Sequence, residues 1–249
     1  MEPMNHDAPQ GLAVTSDGYT FVPSGTVVKP GEPGAFSFQV VDKDGKPLTS
    51  YALFHERELH LIVVRRDLTG YQHLHPARAA DGTWSLTLAV ASAGVYKAFI
   101  SFEPAGQPMP MPVTLAVDLM GDGGFVAVPL PKPSRTTMVD GFKVALAGTL
   151  VVGGSALTLT VTRSGKPVTD LQPYLGAYGH LVAMRVGDLA YLHVHPEGTP
   201  GDGHTPSGPD IAFHMPVPSA GRYRLFLDFK VGDVVRTAEF TAVAARAGM

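Results

Sequence analysis

The 249-residue chain contains one sequence pattern twice, and this repeat constrains the fold more than any other feature. Residues 45–49 (GKPLT) recur as residues 165–169 (GKPVT), a shift of 120 positions, and the shift continues without a gap through residues 71–76 (YQHLHP) and 191–196 (YLHVHP). A tandem duplication of this length requires two similar hydrophobic cores rather than one.

The boundary between the copies is predicted from proline. Residues 129–135 (PLPKPSR) contain three prolines, which cannot join a central strand, so the segment reads as a semi-rigid linker. We therefore predict a flexible leader at residues 1–12, a first domain at 13–128, the linker at 129–135 and a second domain at 136–249.

Each copy has the signature of short strands joined by tight turns. The 28 Gly and 22 Pro are spread along the chain, and 45% of the residues are hydrophobic. Strands are predicted in the first copy at residues 35–41, 59–64, 71–75, 84–90 and 95–102. The fold class expected is all-β: two tandem antiparallel β-sandwich domains, immunoglobulin-like or cupredoxin-like.

Composition excludes several kinds of site and partner. Cysteine is absent, so a metal would have to be bound by His, Met, Asp or Glu. The net charge of -3 leaves no basic stripe for phosphates, so no nucleic-acid partner is predicted. No apolar run reaches the roughly 18 residues typical of a membrane helix, so no membrane span is predicted in this chain.

Histidine is the residue type that repeats most clearly. Six of the ten histidines fall at three equivalent places in the two copies. We predict these six as metal ligands: His60, His73 and His75 in the first copy, and His180, His193 and His195 in the second. The four others do not recur: His6, His55, His204 and His214.

The spacing of these histidines suits a β-hairpin. Residues i and i+2 of a strand point to one face, so His73 and His75 project together. The short connection at residues 65–70 favours an antiparallel hairpin in which His60 faces His75, and opposed residues lie about 4.5–5.5 Å apart. Three imidazoles would then converge on one ion bound at about 2.0–2.1 Å, whereas a slip of one residue would turn His60 away.

A purely structural role is the first alternative. A neutral imidazole buried without a partner costs about 1–3 kcal/mol, and a main-chain carbonyl beside the His-x-His-Pro turn could supply that partner. One metal ion would satisfy three rings at once. The double occurrence of the cluster therefore favours metal binding.

A zinc enzyme is the second alternative. Three histidines from neighbouring strands resemble the zinc site of α-type carbonic anhydrases, where an open fourth position activates water for hydration or hydrolysis. Such chemistry needs a proton-transfer group nearby. Glu56 and Glu58 become Gly176 and Tyr178 in the second copy, and Glu197 has no acidic counterpart in the first. Binding without catalysis is therefore favoured.

Methionine thioethers offer a further possible copper site, because they prefer Cu(I). Met109 and Met111 lie in a proline-rich segment that has no counterpart in the second copy, so ordinary packing is the favoured interpretation. Met1, Met4 and His6 could form a loose copper-capturing leader, although a flexible polar segment explains them equally well.

Residues 55–76 (HERELHLIVVRRDLTGYQHLHP) resemble the repeats of exported, mostly actinobacterial proteins associated with heavy metals or copper. The resemblance implies a secreted or membrane-anchored protein, with an export signal that once preceded Met1. The second copy lacks the His-Glu pair before its strand, so His55 is not carried over as a ligand.

These observations predict an extracytoplasmic protein that binds copper, or secondarily zinc, for sequestration or delivery, with one ion in each domain. The expected recipient of the ion is a metal-transport or membrane protein. A metal-free adhesion or scaffold module, whose histidines only hold a turn, is the competing interpretation.

Imidazole ligation predicts a pH dependence. Only the neutral ring binds a metal, so affinity should decrease as pH falls through about 6.5, the reference pKa of histidine. Metal titrations between pH 5 and pH 8 check this expectation, and an affinity that stays constant over that range would contradict it.

Overall fold

The computed structural model describes residues 11–106 and 111–246. Most of the predicted leader lies outside these residues, including Met1, Met4 and His6, and so does Met109. The chain divides into two compact units between Leu130 and Pro131, within the proline-rich segment at residues 129–135. No helix among the described residues is long and apolar enough to cross a membrane.

The described part of the first unit consists of strands and turns. Its strands are β1 Thr15–Ser16, β2 Tyr19–Pro23, β3 Val27–Val28, β4 Gly34–Val41, β5 Tyr51–Ala52, β6 Leu59–Arg65, β7 Gln72–Leu74, β8 Ala77–Arg78, β9 Thr83–Leu88, β10 Gly94–Pro104 and β11 Val113–Gly121. They form one sheet in the order β1-β2-β4-β9-β8 and a second in the order β3-β11-β10-β6-β7, with β5 paired to the end of β10.

The second unit repeats this arrangement. Its strands are β12 Thr136–Val139, β13 Phe142–Ala147, β14 Leu150–Val151, β15 Ser155–Arg163, β16 Lys166–Pro167, β17 His180–Arg185, β18 Tyr191–Val194, β19 Asp210–Met215, β20 Gly221–Val231 and β21 Val234–Ala245. One sheet has the order β12-β13-β15-β16, with β19 also paired to β15, and the other has the order β14-β21-β20-β17-β18.

Both units are antiparallel β-sandwiches, as predicted. The long strands β4 and β15 alternate buried and more exposed residues, which is the pattern of a sheet with one face on a core. Each unit also has one short parallel pairing at a sheet edge, β3 with β11 and β14 with β21, which the sequence analysis did not anticipate.

Aromatic residues fill the first core. Trp84 is buried and stacks on Phe38, and its indole N–H donates to the hydroxyl of Tyr51 at 3.0 Å. A second feature recurs in both units: the hydroxyls of Tyr96 and Tyr223 each donate to the carbonyl oxygen four residues earlier, at 2.7 and 2.9 Å. The duplication therefore extends to internal hydrogen bonds.

Gly148 supplies a test of the packing in the second unit. Its φ is +95°, and a Cβ there would lie 2.3 Å from the carbonyl oxygen of Ala156. Gly153 has a similar φ of +104° but has nothing within 4 Å of an added Cβ. We expect Gly148→Ala to lower the free energy of unfolding by about 1–3 kcal/mol more than Gly153→Ala, because the backbone strain is common to both and the clash is not. Thermal unfolding followed by circular dichroism measures the difference, and equal losses would contradict the expectation.

Candidate metal centre

The hairpin of β6 and β7 positions the first histidine cluster. Leu61 lies opposite Leu74 and Ile62 lies opposite His73, so the same register sets His60 opposite His75. This is the predicted register. It directs all three histidines to the same face of the sheet, away from the core that receives Leu61.

Strand β6 is buried on both faces. Leu59, Leu61 and Val63 pack in the core, while His60 and Ile62 on the opposite face are also only 1% exposed. The turn before the strand lies against this second face, because the carbonyl oxygen of Phe54 contacts the ring of His60. The histidine cluster therefore has a water-excluded side.

The ring nitrogens of the first cluster converge. His60 Nδ1 lies 3.1 Å from His73 Nε2 and 3.2 Å from His75 Nε2, and one nitrogen of each ring lies within 4.8 Å of the others. The ring centroids are 5.3, 5.0 and 4.8 Å apart. A tetrahedral ion with bonds of about 2.0–2.1 Å places nitrogens about 3.3 Å apart and ring centroids about 5.2 Å apart. The three rings are thus close to a ligating arrangement.

The hydrogen bond of His60 Nε2 determines which nitrogen of the ring has a free lone pair. His60 Nε2 lies 2.8 Å from the carbonyl oxygen of Phe54, which can only accept, so Nε2 carries the proton. In a neutral ring Nδ1 then has the lone pair, and it faces His73 and His75. Carbonyl bonding and metal ligation are therefore compatible rather than alternatives, because they use different nitrogens.

Burial keeps His60 neutral. Loss of hydration and, to a smaller extent, the neighbouring His73 together lower the pKa of His60 to about 2. A ring that stays unprotonated at all ordinary pH values needs no deprotonation before it can bind a cation.

The turn that contacts His60 is strained. Phe54 and Arg57 exchange backbone hydrogen bonds at 2.8 and 3.2 Å, and the two residues between them, His55 and Glu56, have φ of +50° and +61°. Residues other than glycine in this region cost on the order of 1–3 kcal/mol each. The contact of this turn with His60 was not predictable from the residue pattern, because a main-chain oxygen makes it.

The nearby acid is already engaged. The carboxylate of Glu58 accepts two hydrogen bonds from Arg78, at 2.9 and 3.0 Å. Such a bidentate pair engages both carboxylate oxygens, so neither is available for proton transfer unless the pair breaks. The geometry adds nothing to the carbonic anhydrase-like alternative.

The second cluster has the same register but a looser geometry. Val182 lies opposite His193, and His180 Nε2 lies 2.9 Å from the carbonyl oxygen of Tyr174. The ring centroids of His180 and His193 are 6.0 Å apart, and those of His193 and His195 are 4.9 Å apart. Within residues 11–106 and 111–246, only the first cluster forms a group of three possible ligands within 4.8 Å of one another.

Two other predicted features lie apart from this geometry. The insertion in the second copy is organised by Asp202, which accepts hydrogen bonds from the backbone N–H groups of Thr199, His204 and Thr205 and from the hydroxyl of Thr205. These bonds hold the pKa of Asp202 well below its usual range, and the His204 side chain is exposed. Met111 is 52% exposed.

The lowered pKa of His60 predicts acid sensitivity of the metal-free first unit. The unfolded chain protonates this ring near pH 6.5 and the folded chain only near pH 2, so protons bind preferentially to the unfolded chain between these values. Above pH 6.5, the free energy of unfolding therefore does not depend on pH through His60. Below pH 6.5, His60 lowers this free energy by at most about 1.4 kcal/mol for each unit of pH.

Trp84 is the single tryptophan of the chain and lies in the first core, so its fluorescence reports this unit. We expect His60→Leu to flatten the decline in the free energy of unfolding between pH 6.5 and pH 4, as measured in urea. His204→Ala, a change at an exposed histidine of the other unit, serves as the control. Parallel declines in wild type and His60→Leu would contradict the assignment.

Solved structures provide a comparison of fold. An Escherichia coli adhesin, FdeC, is 16% identical with a TM-score of 0.29, and the match covers 94% of this chain and 66% of FdeC. A Salmonella α2-macroglobulin is 13% identical with a TM-score of 0.30, and the match covers 94% of this chain and 15% of that protein. Invasin, a bacterial integrin-binding protein, is 14% identical with a TM-score of 0.24, over 90% and 39%. The chain thus spans less than two thirds of these proteins.

A search of curated proteins finds no match. A family model does match, and it matches twice: a domain of unknown function, DUF8832, covers residues 13–118 and again residues 137–246. These two ranges include both histidine clusters and most of the chain. The protein therefore belongs to the DUF8832 family and contains two copies of its domain.

Proposed function

We propose that this protein binds a transition-metal ion, copper or zinc, through His60, His73 and His75 of its first domain. The observation that carries the proposal is the approach of His73 Nε2 and His75 Nε2 to within 3.1–3.2 Å of His60 Nδ1. A cation between ring nitrogens this close together accepts their lone pairs and removes the repulsion between them, and imidazole is a preferred ligand of both metals.

The arrangement of the rings favours some ions over others. Ring separations of 4.8–5.3 Å are nearly equal, as they are when three ligands occupy three corners of a tetrahedron. A square-planar ion would need two of the rings on opposite sides of the metal and much farther apart. Zn²⁺ and Cu⁺ therefore fit this cluster better than Cu²⁺ does.

The role proposed is sequestration or delivery rather than catalysis. The carboxylate of Glu58 is held by Arg78, and no comparable acid recurs beside the second cluster. An extracytoplasmic location and a metal-transport or membrane protein as recipient belong to the same proposal, and they rest on the resemblance of residues 55–76 to exported metal-associated repeats.

The second domain binds more weakly in this proposal. His180 and His193 are 0.7 Å farther apart than His60 and His73, by the difference of 6.0 and 5.3 Å between ring centroids. His195 is exposed, whereas His75 is half-buried. The wider separation requires His180 and His193 to approach each other before three nitrogens can share one ion, and ordering the exposed His195 costs side-chain entropy; both reduce affinity.

The decisive test compares matched pairs of substitutions in the two domains. We expect His73→Ala with His75→Ala to weaken Zn²⁺ binding by more than about 100-fold, the upper end of what outer-shell changes alone cost. His193→Ala with His195→Ala should leave the tight site intact. Titration calorimetry with Zn²⁺ and elemental analysis of untagged protein provide the measurements.

Equal metal content in the wild type and in both double variants would contradict the proposal. The histidines would then be structural, and a metal-free scaffold or adhesion module would be the better interpretation. A competition experiment identifies the preferred ion. If the site retains Cu⁺ in the presence of excess Zn²⁺, copper is the ion that it prefers.

A further inference from the structure

We propose that His55 is a fourth ligand, one that closes the metal site of the first domain. This inference rests on the function proposed above and concerns the coordination of the same ion. It gives a role to a histidine that neither the repeat pattern nor the converging group of three includes.

The position of the His55 ring is the first argument. Its centroid lies 6.1 Å from that of His60, and the three converging rings are 4.8–5.3 Å apart. Two imidazoles on one tetrahedral ion have centroids about 5.2 Å apart, so His55 needs an inward shift of about 1 Å relative to His60. This movement costs part of the binding free energy, as it would for His180 and His193 of the second domain, whose ring centroids are 6.0 Å apart.

The attachment of the turn is the second argument. The carbonyl oxygen of Phe54 accepts from His60 Nε2 at 2.8 Å and from the backbone N–H of Arg57 at 3.2 Å. His55 is the next residue after this anchor. Its backbone is therefore tied to a proposed ligand, which limits how far the ring can move from the ion and reduces the entropy lost on coordination.

The backbone strain is the third argument. A two-residue turn with positive φ at both central positions strongly favours Gly, Asn or Asp, yet here the residues are His55 and Glu56. The equivalent turn of the second domain has Leu175 and Gly176, with φ of +55° and +76°. The two domains thus have the same unusual turn. Only the first domain, in which three ring nitrogens converge, has a histidine in that turn.

A fourth histidine changes what the site can do. Three protein ligands leave a position where water can bind and be activated, whereas four close the tetrahedron. With His55 coordinated, the ion is held without an open position, and release requires one ligand to leave. The partly exposed His55 is the ligand able to do so, since His60 is buried. Such a site retains its ion while all four histidines are bound, and it releases the ion when a competing ligand takes the place of His55.

The experiment exchanges the turn residues of the two domains one at a time. His55→Leu copies Leu175 and removes the imidazole, while Glu56→Gly copies Gly176 and keeps it. The probes are Zn²⁺, for affinity, and Co²⁺, whose visible absorption bands change when a water replaces an imidazole among its ligands. His55→Asn is a second variant that also removes the imidazole. Asn adopts positive φ readily, so this variant should fold even if His55→Leu does not. Trp84 fluorescence checks that each variant is folded.

We expect His55→Leu and His55→Asn to weaken Zn²⁺ binding by about 10-fold or more. In both variants a water takes the position of the fourth imidazole, so the Co²⁺ absorption bands should shift and become dependent on pH. Glu56→Gly should bind as the wild type does. Unchanged affinity and absorption in both His55 variants would overturn the inference, and so would an equal loss in Glu56→Gly, which would assign the effect to the turn. If the His55 variants bind as the wild type does but His73→Ala with His75→Ala abolishes binding, the three-histidine site is supported and only the proposal of a fourth ligand fails. A wild type that binds neither ion removes both proposals.

Discussion

The hydrogen bond between His60 Nε2 and the carbonyl oxygen of Phe54 is the interaction on which the candidate site depends. It satisfies a polar nitrogen on a strand that is buried on both faces, and a buried nitrogen without a partner would be costly. It also fixes the proton on Nε2, so that the lone pair of Nδ1 faces His73 and His75. One main-chain contact therefore stabilises the fold locally and orients the first proposed ligand.

The two domains show how a duplicated scaffold can diverge at one site. The register of the histidine hairpin and the carbonyl contact of the first histidine are present in both, through Phe54 in one and Tyr174 in the other. The differences lie at the open side of the cluster. There His195 is exposed, and the turn that holds His55 in the first domain holds Leu175 in the second. The scaffold preserves the buried histidine, His60 or His180, and the exposed positions vary.

Much of the site could be predicted because strand geometry is regular. The i, i+2 spacing of His73 and His75 sets their common face, and the short connection to β6 sets the register that brings His60 opposite. The carbonyl of Phe54 could not be predicted, since a main-chain oxygen leaves no mark in the residue pattern. The looser second cluster could not be predicted either, because identical spacing does not determine how deeply each ring is buried.

The sequence by itself determined the duplication, the all-β class, the strands that carry the histidines and the alternation that directs three rings to one face. These features follow from local periodicity and from comparison of the chain with itself. Only the tertiary structure decided which cluster converges, which nitrogen of His60 is available, and where the strained turn places His55. Such features depend on distances of tenths of an ångström between segments far apart in the chain, and packing rather than residue order sets those distances.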